Sequence, residues 1–254
     1  MYRKLLLISA MTLVSGCAST QQSGSELTDV NKEQMFVEAN NYEQLIEFYK
    51  NELRKKESTD ARLKLGQAYL DHGDAESAVF VVSQLPESAS SSQSELILAK
   101  ANFALEQLEQ AQHHIENVLK FDDRNGEAYN VLGVILATQG DLPNAEQNFV
   151  EARRQFYQDS AVKNNLATIY LIQKQYQKSY LLLSSVYQAN PEDKTTRANL
   201  IITLIKLDRV AKARELLSAD YKSDQISAII EFIRAQEVAS FTLPVSPEPA
   251  YESE

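Results

Sequence analysis

The one cysteine and three histidines of this sequence, Cys17, His72, His113 and His114, are its first candidates for a nucleophile, a transition-metal ligand or a general base at neutral pH, and carboxylates such as Glu146 and Glu151 fall at outer-face positions typical of solvated charge. His113 and His114 are adjacent on a predicted helix and point about 100° apart, so they cannot hold one metal ion as an i, i+4 pair can. The chain has no Ser-x-Gly elbow, no His-Glu-x-x-His sequence and no Gly-Lys-Ser/Thr phosphate loop. We therefore expect no catalytic residue, no metal site and no cofactor, in a protein that is not an enzyme.

Cys17 follows a sequence typical of secretory signals. Two basic residues precede an apolar run over 5–14, which is too short to cross a bilayer as a mature helix. Residues 13–17 read Leu-Val-Ser-Gly-Cys and resemble the bacterial lipobox, whose cysteine receives a covalent lipid. The resemblance implies a lipoprotein signal peptide over 1–16 and an acylated Cys17. Because Ala18 follows, not Asp, it also implies an outer-membrane anchor facing the periplasm. An ordinary signal peptide with an incidental cysteine is the alternative.

Polar segments lie at both ends of the region expected to fold. Residues 17–29 hold the cysteine and a Ser-, Thr- and Gln-rich stretch, which is typical of a flexible linker. Residues 241–254 contain three of the six prolines of the chain and three glutamates, which predicts a disordered acidic tail. The folded part is therefore expected between about residues 30 and 240.

The composition excludes several functional classes. A net charge of −10 over 254 residues argues against nucleic acid as a partner, because binding phosphates requires clustered Lys and Arg. One cysteine excludes a disulfide framework. Seven Gly and six Pro are too few for an all-β chain with many tight turns, so the composition favours a helical, globular and acidic protein.

The central sequence repeats with a period of 33 or 34 residues. The clearest sign is a pair of glycines seven residues apart that recurs after 67 residues. The first glycine of each pair directly follows a leucine, and a leucine recurs at this position in every period. A second series, of small residues, recurs with the same period. The repeated positions are Leu65-Gly66, Leu98-Ala99, Leu132-Gly133, Leu166-Ala167 and Leu200-Ile201, the turn glycines Gly73 and Gly140, and Ala78, Ala111, Ala145, Ser179 and Ala213.

The spacing within one period predicts two antiparallel helices. Small residues at 133 and 145 would let the two helices approach closely, and Gly140 supplies the turn between them. One such hairpin cannot bury its apolar face alone, so the repeats must stack. The residues of the best unit that carry the pattern are Tyr129, Leu132 and Gly133 on the first helix and Ala145, Phe149 and Ala152 on the second.

These residues resemble the tetratricopeptide repeat (TPR), and Pro191 matches its closing proline. The resemblance implies an all-α superhelical solenoid of helix hairpins with a C-terminal capping helix. We place five units over 59–222, a degenerate first hairpin over 30–58 and the capping helix over 223–240. The five units are 59–91, 92–125, 126–159, 160–193 and 194–222.

In such a solenoid the first helices of successive units line a concave groove that binds segments of partner proteins. Repeat numbering predicts the side chains that face this groove, and two asparagines one period apart are candidates to bind a partner backbone. The alternative is that these side chains only solvate the helices or pack against the preceding unit. The predicted groove residues are Gln67, Lys100, Asn130, Val134, Asn164, Thr168, Leu171, Ala198 and Ile202.

Beyond the repeat, the mature chain resembles the TadD family, TPR lipoproteins of the Tad (Flp) pilus assembly system. The resemblance rests on Asn41-Tyr42 with residues 45–49 (Leu-Ile-Glu-Phe-Tyr), on residues 62–70 (Arg-Leu-Lys-Leu-Gly-Gln-Ala-Tyr-Leu) and on residues 162–167 (Val-Lys-Asn-Asn-Leu-Ala). It implies a pilotin-like scaffold that helps the outer-membrane secretin to localise or assemble, with pilus components as partners and the bilayer contacted through acyl chains. The alternative is a TPR lipoprotein adaptor for envelope hydrolases, for outer-membrane assembly or for a type IV pilus secretin.

Overall fold

The computed structural model describes residues 29–236, and every regular element in that range is helical. The expected all-α class is therefore confirmed. The signal sequence, Cys17, most of the linker and the acidic tail lie outside the described residues. The helices are α1 (Asp29–Glu38), α2 (Tyr42–Lys55), α3 (Thr59–Asp71), α4 (Ala75–Val82), α5 (Ser92–Ala104), α6 (Leu108–Phe121), α7 (Gly126–Thr138), α8 (Leu142–Arg154), α9 (Asp159–Ile172), α10 (Tyr176–Ala189), α11 (Lys194–Lys206), α12 (Val210–Leu217) and α13 (Ser223–Ala235), with a short 3-10 helix at Glu87–Ala89.

Each hairpin turns at one residue in the left-handed region of the backbone. Gly73 and Gly140 have φ values of +88° and +87°, a conformation that glycine adopts without steric cost. The other hairpins place a residue with a side chain at the equivalent position. These residues are Asn40, Glu106, Lys174 and Asp208, with φ between 49° and 60°. The turn therefore keeps its geometry where its glycine is replaced, and Asn40 identifies α1–α2 as a hairpin of the same kind.

Small residues let the two helices of a unit pack closely. Ala78, Ala111, Ala145 and Ala213 are fully buried. A Cβ on Gly66 would lie 2.4 Å from Cγ2 of Val82 on the partner helix, so the second helix occupies the space of the missing side chain. This close approach lets the larger residues of each unit fill the layer between neighbouring hairpins.

The larger repeat residues form the core, layer by layer. Leu65, Leu98, Leu166 and Leu200 are at most 9% exposed. Ala99, Ala152 and Ala167 are fully buried beside them, as is Phe149. Tyr129 and Leu132 are half-buried, and Pro191 is exposed in the loop before α11.

The first helices of neighbouring units lie closer together than the second helices do. Pairs of first helices such as α3 and α5 or α9 and α11 pack against each other, whereas neighbouring second helices make fewer contacts. Stacked hairpins with this asymmetry must curve, with the first helices on the inside. The first helices α3, α5, α7, α9 and α11 therefore form the concave face.

The array has a helix at each end that continues the stacking. Glu33 of α1 accepts hydrogen bonds from Tyr49 of α2 and Lys64 of α3, so α1 takes the place of a first helix. At the other end, Ile226 and Ile230 of α13 are buried against α11 and α12. Both termini of the apolar core are thus covered.

Candidate protein-binding face

The nine predicted groove residues divide into two groups. Gln67, Lys100 and Ile202 are half-buried and Ala198 is exposed, so these four remain accessible on the first helices. The other five are at most 5% exposed and are not available to a partner in this structure. The buried five are Asn130, Val134, Asn164, Thr168 and Leu171.

Packing between adjacent first helices explains why five residues that were predicted to face the groove are buried. Asn165 Nδ2 donates to Asn130 Oδ1 at 2.9 Å, which joins α9 to α7. Asn164 Nδ2 donates to Thr196 Oγ1 at 2.7 Å, which joins α9 to α11. Thr168 donates to the backbone oxygen of Asn164. The asparagines therefore connect three repeats to one another and are not arranged to bind a partner backbone.

The hydrogen bonds of Asn164 and Asn165 that join the three repeats, which we call the asparagine bridge, do not satisfy every buried polar atom. The side-chain oxygens of Asn164 and Asn165 are buried without a hydrogen-bond partner among the described atoms. Each unpaired buried acceptor costs about 1–3 kcal/mol, so the bridge serves more to set the register of the repeats than to stabilise them.

A polar row crosses the accessible part of the concave face in the N-terminal half. Lys100 of α5 forms an ion pair with Glu127 of α7. Gln67 donates to the Asp71 carboxylate at 2.7 Å on α3. Desolvation raises the pKa of Asp71, and the hydrogen bond from Gln67 and the charge of Lys100 oppose that rise. The four side chains thus form one electrostatically connected row over three first helices.

Glu127 and Asp71 were not among the predicted groove residues. Glu127 lies 27 residues after Lys100, which is six or seven residues short of the repeat period. Repeat numbering therefore does not pair the two positions.

The C-terminal half of the concave face is apolar. Ala198 is exposed, and Ile202 lies one turn further along α11 and is half-buried. Ile172 at the end of α9 is also half-buried. The face therefore changes along the array from a charged row to an apolar stripe, which suits a partner segment with a polar and an apolar part.

Two of the three histidines lie on the second helix α6, and His72 caps the end of α3. His72 and His113 are exposed, whereas His114 Nδ1 lies 2.9 Å from Glu95 Oε2. Burial tends to raise the pKa of Glu95, but hydrogen bonds from His114, Asn117 and Ser90 outweigh it, so that the pKa lies below its ordinary value. This cluster ties α6 to α5. In the described range no three His, Cys, Asp or Glu side chains are placed to share a metal ion.

Among the helices of residues 29–236, none is long and apolar enough to span a membrane.

Family models of the tetratricopeptide repeat match residues 98–149 and 170–225. None of the curated protein sequences matches the chain. No catalytic family is indicated.

Several solved structures share the fold. A TPR protein of Thermus thermophilus is 17% identical with a TM-score of 0.61, covering 70% of this chain and 99% of its own. PilF of Pseudomonas aeruginosa is 21% identical with a TM-score of 0.58, covering 71% and 86%. A tetratricopeptide repeat protein of Parabacteroides merdae is 15% identical with a TM-score of 0.60, covering 83% and 88%. At these identities the likeness shows the fold alone. Residues 98–149 and 170–225 are thus tetratricopeptide repeats, and the described chain is an all-helical tetratricopeptide repeat solenoid.

Proposed function

We propose that this protein is a lipid-anchored scaffold of the outer membrane that binds the secretin of a Tad (Flp) pilus system in a pilotin-like role. The observation that carries the scaffold role is the concave face, on which Gln67, Lys100, Ala198 and Ile202 remain accessible. Tetratricopeptide repeats mediate protein–protein interactions, and a face with a polar and an apolar end supplies both orientation and affinity for an extended or helical segment.

The sequence supports the membrane anchor. Cys17 follows a lipobox-like sequence and lies 12 residues before the start of α1. Two or three acyl chains hold a protein firmly on a bilayer, whereas one chain binds only marginally. The anchor would keep the concave face within reach of an outer-membrane partner.

Complementation of a gene deletion in the native bacterium tests the proposal. We expect the deletion to lower the amount of secretin multimer in the outer membrane and to abolish piliation, and the wild-type gene to restore both. Ile202→Asp places a charge on the apolar stripe and is expected to fail, whereas Leu181→Asp, on the exposed side of α10, is expected to complement. Normal multimers and pili in the deletion strain would refute the role.

The same strains separate the alternative function. If the Ile202→Asp variant loses a peptidoglycan hydrolase from its purified complexes while secretin multimers stay normal, the protein is an adaptor for envelope hydrolases. A Cys17→Ser variant that still sediments with membranes would refute the acyl anchor independently of either role.

A further inference from the structure

Exposed aromatic side chains recur along one edge of the solenoid. This edge, which we call the inter-repeat edge, is where each second helix ends and the next first helix begins. Phe121 ends α6 and is 56% exposed, Phe156 follows α8 and is 96% exposed, and Tyr221 precedes α13 and is 45% exposed. A single exposed apolar side chain is ordinary, but these three share one edge, which is therefore a candidate contact surface.

Phe156 combines this exposure with an unfavourable backbone. Its φ is +59°, a region that disfavours residues with a Cβ. Every other non-glycine residue with positive φ in the described range lies in a turn inside a hairpin. The conformation is held by a hydrogen bond from the Tyr157 N–H to the Ala152 oxygen at 3.0 Å. The effect is to present an aromatic ring to solvent at the tip of the loop.

The described part of the chain begins at the same edge. Helix α1 is antiparallel to α2 and lies beside α3 through the contacts of Glu33. Its first residue, Asp29, is therefore at the end of the array where α2 stops and α3 starts. The first described residue therefore lies at the inter-repeat edge.

We propose that the inter-repeat edge rests on the lipid surface, with Phe156 and Phe121 inserted at the level of the head groups. The proposal rests on the lipid anchor proposed above, because 12 residues from Cys17 to Asp29 reach at most about 40 Å when fully extended. Aromatic rings are enriched at membrane–water interfaces. The rings belong to separate repeats and not to one enclosed groove, and this arrangement fits a planar lipid surface better than a single bound protein segment.

The charges beside the rings fit zwitterionic head groups. Lys120 and Arg124 flank Phe121, and Arg154 precedes Phe156, while Asp122 and Asp123 lie in the same loop as Arg124. The edge carries both cations and anions, so it has partners for both the phosphate and the amine of phosphatidylethanolamine. A strongly anionic membrane is not required.

The absence of tryptophan from the sequence allows a direct test. Phe156→Trp adds a single indole at the edge. Phe232→Trp is the matched control, because Phe232 is 65% exposed but lies near the opposite edge. That position follows from α13, whose Arg234 contacts Asp208 at 2.6 Å in the turn after α11. Residues 17–254 of each variant are coupled through Cys17, the only cysteine, to a maleimide phospholipid in phosphatidylethanolamine/phosphatidylglycerol vesicles.

We expect the fluorescence emission of Phe156→Trp to shift to the blue on vesicles and its intensity to fall at least twofold with brominated lipids. The emission intensity of Phe232→Trp should change by less than a tenth under the same conditions. Equal quenching of both variants, or of neither, would overturn the proposal. A blue shift that depends on protein concentration and not on bromine would overturn it in favour of self-association. Since the coupling is chemical, this result does not depend on acylation in the cell, which the membrane sedimentation of Cys17→Ser tests separately.

Discussion

The ring of Phe149 occupies the space that a side chain at Gly133 would need: a Cβ at position 133 would lie 2.7 Å from Cε1 of Phe149. Phe149 is fully buried on α8, and the two helices of the central unit approach closely where its ring meets the glycine. Contacts of this kind make the repeat sensitive to any added atom at the first small position.

Gly133→Val is therefore expected to lower the free energy of unfolding by about 1–3 kcal/mol, because an overpacked core must shift. Urea unfolding followed by circular dichroism measures the change. Gly140→Asn is the control: nothing lies within 4 Å of a Cβ at Gly140, and asparagine tolerates its positive φ. An unchanged unfolding midpoint for Gly133→Val would contradict the packing described.

Lys174→Gly is expected to raise the free energy of unfolding by about 0.5 kcal/mol. Lys174 has φ +60° in the hairpin turn of the fourth unit, where a Cβ costs about 1–2 kcal/mol and the entropy of a glycine offsets part of the gain. Thermal unfolding measures the difference. Gln173→Gly, at φ −75°, should destabilise instead, and stabilisation by both changes would refute the role of the positive φ.

Asn165→Ala removes the hydrogen bond to Asn130 and also the unpaired buried oxygen of Asn165, so the two effects oppose each other and we expect a net change of less than about 1 kcal/mol. A double-mutant cycle with Asn130→Ala isolates the pair, and we expect a coupling of about 1 kcal/mol. Additive effects of the two changes would show that this hydrogen bond does not join the third and fourth repeats in solution.

Glu95 predicts a dependence of stability on pH. Its pKa in the folded protein lies below the ordinary 4.5, so its contribution is fully present above pH 4.5 and is lost as the pH falls through the folded pKa. We expect Glu95→Gln to cost about 1 kcal/mol at neutral pH and less at pH 3. Chemical unfolding between pH 3 and 7 measures both. Glu109→Gln, exposed on α6, is the control. A destabilisation by Glu95→Gln that is as large at pH 3 as at pH 7 would exclude this interpretation.

The repeat made the fold predictable. A glycine or alanine that recurs every 33 or 34 residues in the first four units indicated where two helices must approach, and Gly66 and Gly133 lie at those contacts. The turns with Glu106 and Asp208 carry no glycine, so composition alone does not reveal their left-handed conformation. The period reveals it, because both residues stand at the position of Gly73 and Gly140.

The concave face was less predictable than the core. Repeat numbering places Asn130 and Asn164 on the same side of their helices as Lys100, yet both asparagines are buried. The extent to which a neighbouring first helix covers a residue depends on the curvature of the array. Curvature arises from the stacking of several units, so the sequence of one repeat does not determine it. Phe156 was missed for a related reason, since it departs from the repeat and no periodic pattern points to it.

Photocrosslinking from the concave face in living cells tests the central claim most directly. A benzophenone side chain at Gln67 or Ile202 is expected to crosslink to the outer-membrane secretin, and one at Gln147 on the exposed side of α8 is not. Secretin crosslinks from both concave positions and not from Gln147 are the predicted result. Crosslinks to the secretin from Gln147 alone, or none from any of the three positions, would contradict the proposal that this solenoid binds the secretin through its concave face.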